Sequence, residues 1–559
     1  MKKPLFFPVL ILSFLALGFA KAQNIQFEDP NFKTILLESS PDNKIAYSTN
    51  GNYVAIDANG DGEISRAEAL NIRELLISDG GAVPPFIHSM KEIEYFTNLT
   101  TLNCYDLLKL ESLDLSALIK LETLGYLIHY NQKEVDISVL SSLILPKTPT
   151  LWSITLDGPL LEDVNITGSQ VPNLQSLDIE ARYSDEAKNI TISDLPKLET
   201  LFCGPSSLNT YDPDYNNLAP NISLSNLPKI NKLGIKGKNI TINNLPNLTE
   251  LDCSAVQQFA YNPVPKVESL VLSNIPKLIT ILAEDHALKS LDLSNVPSLV
   301  TLILNCNYNN ETYINETLEN LNLSKNINLE GLGLTYNAAL KTLDVSHNIN
   351  LGGMELPGCT GIETLDISHN INFSTLDLYG CTGIKTLDVS HNINLETLNL
   401  YGCTGLTSLY MKNGVEKTFN PTINGIGGGY YLFGTNLNYI CCDDDEIDAV
   451  KDYVQDINNS YYPPINPTIT SDCKTYGLGT EDLSPQAKVA LYPNPVKEVL
   501  YFSASGKVIK AEIYDLNGRL MKTAAVSNNS VNVSNLSKGV YFIVLKTDKG
   551  TVKEKFIKN

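Results

Sequence analysis

Residues 340–411 read LKTLDVSHNINLGGMELPGCTG (340–361), IETLDISHNINFSTLDLYGCTG (362–383), IKTLDVSHNINLETLNLYGCTG (384–405) and LTSLYM (406–411). The register is strict: Leu343, Leu365, Leu387 and Leu409 fall 22 residues apart, as do His347, His369 and His391, and Cys359, Cys381 and Cys403. A unit this short cannot enclose a core of its own, so copies must stack and share one continuous core. The predicted fold is therefore a mainly β solenoid with coils of 21–22 residues.

Working outward from that block, looser copies begin at Leu99: LTTLNC (99–104), LESLDLS (110–116), LETLFCG (198–204), LTELDCS (248–254), LKSLDLS (288–294) and LEGLGLT (329–335). Between many of them sits a polar pair followed by an apolar residue and proline, as in SDLP (193–196), SNLP (225–228), NNLP (243–246), SNIP (273–276) and SNVP (294–297). Proline has no N–H to give a ladder, so it ends a strand there and turns the chain. Two short strands thus alternate about 11 residues apart in each coil. One carries Leu-x-x-Leu-Asp-Leu/Val-Ser. The other carries Leu-x-x-Leu-x-Leu/Cys followed by Asn or Cys, and is taken as the concave strand because Leu329, Leu332, Leu334 and Asn337 match a leucine-rich-repeat core with its asparagine ladder. In that register Cys359, Cys381 and Cys403 replace the asparagine. Segments 204–218 and 307–316 break the period and are predicted loops. Residues 40–475 resemble the exported leucine-rich-repeat proteins of Bacteroidetes and, more distantly, internalin-like solenoids. A dozen coils at ~4.8 Å each imply a rod or arc near ~60 Å long.

The ends differ from the middle. Residues 1–22 carry Lys2 and Lys3, an apolar run from Pro4 to Ala20 and the small-x-small site Ala20-Lys21-Ala22, the pattern of a secretory signal peptide. No later stretch is long and apolar enough for a membrane span. Residues 23–95 read as an N-terminal cap with a helix-like segment, SRAEALNIRELLIS (65–78), ahead of a solenoid over 96–412. Residues 413–476 read as a closing cap with one helix, in which the DDDE run (443–446) is a solvated helix start, and 477–488 as a linker. Residues 489–559 alternate like strands, with turns at Asn517-Gly518 and near Lys549-Gly550, and are expected to form a small β-sandwich. Within them YPNP (492–495), YDLNGRL (514–520), LSKGVYFIVL (536–545) and KEKFIKN (553–559) resemble the type A C-terminal sorting domain of the type IX secretion system. That resemblance implies passage through the periplasm, recognition by the type IX machinery, and release or attachment at the outer membrane surface.

Net charge is −21, with eleven Lys and Arg against five Asp and Glu in 489–559, so the acidity lies in the body. Such a body argues against nucleic acid, whose phosphates need basic partners. The sharpest chemical motif is DANGDGEISRAE (57–68), which resembles an EF-hand or dockerin-like calcium loop. Asp57, Asn59 and Asp61 offer side-chain oxygens, Glu63 its carbonyl, Ser65 a direct or water-borne contact and Glu68 both carboxylate oxygens, for a structural Ca2+. Gly62 permits the sharp turn and Ile64 points to the core.

Cys104, Cys203 and Cys253 fall at inward strand positions, and no Cys-x-x-Cys pair supports zinc. A disulfide from Cys473 to Cys441 or Cys442 suits an oxidising compartment. The histidine column and the Asn-x-Ser/Thr triplets at Asn165, Asn189, Asn239 and Asn322 are ascribed to repeat duplication. Tyr379 and Tyr401, with Pro357 at the equivalent site, follow the proposed concave strand, where aromatic rings can meet a sugar or peptide. No Ser-His-Asp spacing, His-Glu-x-x-His, Gly-x-Ser-x-Gly or phosphate loop is present. The expectation is a non-enzymatic, adhesin-like binding protein for an extracellular protein or glycan. The alternatives are an enzyme-associated surface subunit and a structural envelope component.

Overall fold

The computed structural model describes residues 23–78, 86–128, 139–157, 163–181, 189–205, 220–255, 266–306, 317–416, 429–460, 464–473, 490–492, 496–503, 508–514, 520–524, 526, 530–547 and 550–559. The signal peptide, the linker, the loop at 307–316, most of the loop at 204–218 and the Asn517-Gly518 turn lie outside them. The chain divides into two units, Met1–Cys473 and Lys474–Asn559.

In the first unit, each coil leaves one short strand on either side of a shared apolar core. One side forms a single sheet of 16 strands. Apart from the antiparallel edge strand Ala46–Ser48, its strands pair in parallel from Ile72–Ser78 to Gly429–Tyr431. Equivalent residues stand in register: Leu332 opposes Met354, Met354 opposes Leu376, and Leu376 opposes Leu398. These are the half-repeats with Asn or Cys after the strand, so the half read as the concave strand is the one that builds the continuous sheet. The other half-repeat forms shorter sheets, among them Thr342–Asp344 with Thr364–Asp366, and a run from Thr386–Asp388 to Thr468–Thr470. Leucines of both halves meet in one cluster that extends from Ile25 to Ile465.

Three expectations need correction. The segment SRAEALNIRELLIS is helical only over Arg66–Ala69, and Ile72–Ser78 is a strand. Ile72, Leu75 and Ile77 are buried while the strand bridges the edge strand and Thr101–Tyr105, so pairing and burial override local helix propensity. Strand pairing also passes residue 412, because Gly429–Tyr431 adds to the long sheet and Tyr439–Cys441 and, after the helix Ile447–Ser460, Thr468–Thr470 add to the other side. The DDDE run is not merely solvated: Glu446 is buried, and the Asp443 carboxylate accepts from the N–H groups of Asn413 and Gly414 (3.0 and 2.8 Å).

Over 163–273 the second half-repeat departs from Leu-x-x-Leu. There a five-stranded parallel sheet is built from DVNIT (Asp163–Thr167), NITIS (Asn189–Ser193), NISLS (Asn221–Ser225), NITIN (Asn239–Asn243) and SLVLS (Ser269–Ser273). Simple alternation of Ile or Leu with short polar residues suffices there, since the strands need only one buried face. Directly after four of them Asp194, Asn226, Asn244 and Asn274 take positive φ (54–59°), the left-handed turn that precedes each proline.

The second unit is antiparallel. Ala490–Tyr492, Val499–Ser503 and Ser530–Asn532 form one sheet; Leu520–Ala524, Val508–Tyr514, Gly539–Thr547 and Gly550–Lys558 form the other. They close on their own core of Val496, Leu500, Phe502, Ile513, Ile543 and Phe556. A small sandwich is what the alternation predicts.

Candidate functional site

From Gly331–Gly333 to Gly429–Tyr431 the strands of the long sheet end in a recurring turn. Gly358, Gly380, Gly402 and Gly434 take φ of 70–74° there, and Tyr336 adopts φ 60° at the same position. The N–H groups of Gly358, Gly380 and Gly402 donate to the carbonyls of Tyr379, Tyr401 and Phe433 on the next coil (2.6, 2.8 and 2.9 Å). Beneath each turn the thiols of Cys359, Cys381 and Cys403 donate to Leu334, Leu356 and Leu378 carbonyls one coil back (2.9, 3.1 and 3.0 Å). Asn337 makes the same bond to Leu304 with its amide (2.9 Å), so cysteine does replace asparagine in one ladder.

Burial pushes the Cys359 and Cys403 thiols up to about 12 and the Cys381 thiol higher still. Cys104, Cys203 and Cys253 are likewise pushed up to about 12 by burial. These groups are packed neutral thiols rather than nucleophiles or metal ligands. A second ladder runs through the opposite turn, which sequence reading named only as a histidine column. The buried amides of Asn348, Asn370 and Asn392 donate to Asn326, Asn348 and Asn370 carbonyls (2.7, 2.8 and 2.9 Å). The signal was the invariant Asn in Ser-His-Asn-Ile-Asn, beside a histidine that is itself exposed and touches only its neighbouring serine among the bonds seen for it.

Above the turn, Pro357, Tyr379 and Tyr401 occupy one outward position on consecutive coils. The tyrosine rings stack, with centroids 5.3 Å apart and planes 5° from parallel, and Tyr379 is 42% exposed. Each ring spends one face on the other, and Tyr379 is the more exposed member of the pair. Two residues earlier on the same strands, Glu355, Asp377 and Asn399 stand in register. Asp377 accepts from the Tyr379 N–H (3.0 Å) and Asn399 from the Tyr401 N–H (3.1 Å).

Burial raises the Asp377 pKa above the ordinary carboxylate value, and the Glu355 charge adds to this against the bonds from Tyr379 and Asn399. The preceding coils carry Gly331, Gly333 and Gly353, and a side chain at Gly331 would meet nothing within 4 Å. A stacked aromatic pair, two carboxylates and an amide thus share one patch of the sheet, with open space at Gly331 two coils away and the Asn305 side chain filling the space at Gly333. The patch can bind a polar, ring-bearing ligand, and holds no nucleophile–base pair among its residues.

The N-terminal loop is wound tightly around its own backbone. Asp57 accepts from Gly60, Asp61 and Gly62 N–H groups (2.8, 3.2 and 2.8 Å), Asn59 from Asp61 (2.8 Å) and Asp61 from Glu63 (2.9 Å). Gly60 and Gly62 supply φ of 70° and 77°. Ser65 caps Arg66–Ala69, and Glu68 folds back to accept from Ala58 and Ser65 (3.0 and 2.8 Å). The six oxygen-bearing residues therefore surround one turn, with Ile64 buried below and Glu63 paired to Lys33 at 2.9 Å. Among the described residues no group of three or more His, Cys, Asp or Glu side chains is arranged to hold a metal ion. The oxygens now serve backbone N–H groups, and any cation would have to draw them inward. Farther on, Cys441 and Cys473 are disulfide-bonded, with Cα atoms 5.4 Å apart, while Cys442 is a buried free thiol.

Comparison with known proteins adds the following. Residues 490–559 match the family described as secretion system C-terminal sorting domain, which marks the protein as secreted or cell-surface. Among the described residues no helix is long and apolar enough to cross a membrane. Over 103 residues the chain is 31% identical to beta-agarase D of Zobellia galactanivorans, covering 17% of this chain and 21% of that enzyme. The chain thus spans about a fifth of that relative's length. Two solved structures of Listeria monocytogenes proteins are similar. The functional domain of InlJ, which includes a cysteine ladder, is 16% identical, covers 94% of this chain and 98% of its own, and has a TM-score of 0.28. The internalin InlF is 14% identical, covers 72% and 97%, and has a TM-score of 0.25.

Proposed function

We propose that this protein is a surface or secreted binding protein, adhesin-like, that presents the patch around Tyr379 and Tyr401 to an extracellular glycan or protein. The type IX machinery delivers it by way of residues 489–559. The observation that carries the reading is the stacked tyrosine pair beside Glu355, Asp377 and Asn399 on the long sheet. The exposed Tyr379 ring, with carboxylate and amide acceptors beside it, suits the C–H faces and hydroxyls of a sugar, or a Tyr-, Lys- or Arg-bearing peptide.

Glycan-array and surface pull-down binding, repeated with Tyr379→Ala/Tyr401→Ala, tests it. The expected result is a loss of about tenfold or more in affinity, the scale of one well-placed aromatic contact. Equal binding by the double variant, or turnover of the captured ligand, would replace this reading by the enzyme-associated or the purely structural one.

The same reading gives the 57–68 loop a structural Ca2+. Asp57, Asn59, Asp61, Glu68, the Glu63 carbonyl and Ser65 would hold it, and the ion would neutralise carboxylates that otherwise repel. Its support is the loop's tight winding and the return of Glu68 onto Ala58.

A further inference from the structure

The five-stranded sheet on the other side of the core carries an ordered polar surface. Its strands pair in parallel without a register shift, and their Val, Ile and Leu at alternate positions are buried, apart from the exposed Val271. Every other outward residue is an amide or a hydroxyl, except Asp163 at the edge. Short side chains on strands in perfect register make a grid, with ~4.8 Å between strands and about 6.6 Å between successive outward positions along each strand.

The amides are already ordered along that grid. Asn189 donates to Asp163, Asn221 to Asn189 and Asn239 to Asn221 (2.9, 3.1 and 2.7 Å). At the turn a parallel row follows, with Asn226 donating to Asp194 and Asn244 to Asn226 (2.6 and 2.7 Å). An amide has two N–H donors and a carbonyl with two lone pairs, so each rung keeps a donor and an acceptor for a ligand. The Asn-x-Ser/Thr triplets at Asn165, Asn189 and Asn239 acquire a physical role here, since both polar residues of each face outward.

We propose that this face binds an extended, neutral polysaccharide laid flat across the strands, its repeating vicinal hydroxyls each taking a donor and an acceptor from successive rungs. Charge complementarity selects the occupant. In a chain with 62 Asp and Glu against 41 Lys and Arg, a grid whose only carboxylates among the residues named, Asp163 and Asp194, each accept from a neighbouring Asn suits an uncharged partner rather than a cation, a polyanion or a basic protein. The described strands of this face carry no large aromatic or Arg anchor, which disfavours a protein hot spot. A rigid, periodic polymer meets the grid at many weak points and forfeits little conformational freedom on doing so.

The test is retention of the full-length secreted protein on microcrystalline cellulose, chitin and agarose in molar salt. It compares the wild type with Ser223→Lys/Thr241→Glu and with Tyr379→Ala/Tyr401→Ala. The Lys–Glu pair is complementary across adjacent strands, so it blocks the grid without like-charge strain, and its melting temperature verifies folding. The expected result is salt-resistant retention on at least one polymer, weakened about tenfold in the grid variant and unchanged in the tyrosine variant. Retention on none of the three, retention equal in the folded grid variant, or loss confined to the tyrosine variant would overturn the proposal. The last outcome would leave the Tyr379–Tyr401 reading standing.

Discussion

Asp377 and Asn399 occupy one position on consecutive coils and make the same bond to the following tyrosine N–H, yet one is a partly buried acid. Because burial raises the folded pKa above the ordinary value, the folded protein holds this proton more tightly than the unfolded chain. That contribution is fully present below the ordinary carboxylate range and is lost as pH rises through the raised value. Asp377→Asn, which copies Asn399, is therefore expected to melt higher than wild type at neutral pH and to converge with it in strong acid. A melting series against pH checks this, and a lower Tm at neutral pH would mean that the carboxylate is needed where it stands.

Cysteine chemistry is decided at the same scale. All eight free thiols are buried, so a thiol reagent should label almost none in the folded protein and all eight after denaturation. Sequence reading placed Cys359, Cys381 and Cys403 on the turn ladder correctly because the 22-residue period fixes what lies above what. It could not tell that Tyr379 and Tyr401 stack on one another, since ring orientation depends on the coil spacing and the turn rather than on residue identity.

At the level of elements, the repeat was legible because its periodicity is reinforced by every coil. The strand Ile72–Ser78 was not, because IRELL has local helix propensity and only pairing with Thr101–Tyr105 reveals it as the first coil. The five-stranded sheet escaped for the opposite reason: NITIS and NISLS carry no leucine pattern, and their strand character lies in plain alternation. The 57–68 loop is the element whose chemistry most needs a direct test. If it binds Ca2+, melting in calcium should exceed melting in chelator by a few degrees, since a site filled to about ten times its dissociation constant adds ~1.4 kcal/mol. Glu68→Gln should abolish that difference, whereas the backbone bonds alone would leave wild type indifferent to chelator.

For the whole molecule, the chain assigns different tasks to its two units: a stacked scaffold with an independent core up to Cys473, and a small sandwich beyond it that matches a secretion sorting domain. Both were readable in sequence, one from its period and the other from YPNP, YDLNGRL and KEKFIKN. What the scaffold's outward face does was not, since the outward positions are the ones stacking leaves free to vary. The assignment of delivery to the second unit is tested most directly by fractionating cells that express the chain truncated after residue 488. The truncated protein is expected to accumulate in the periplasm, folded and absent from the cell surface and medium. Normal display or release of that truncation would contradict the account.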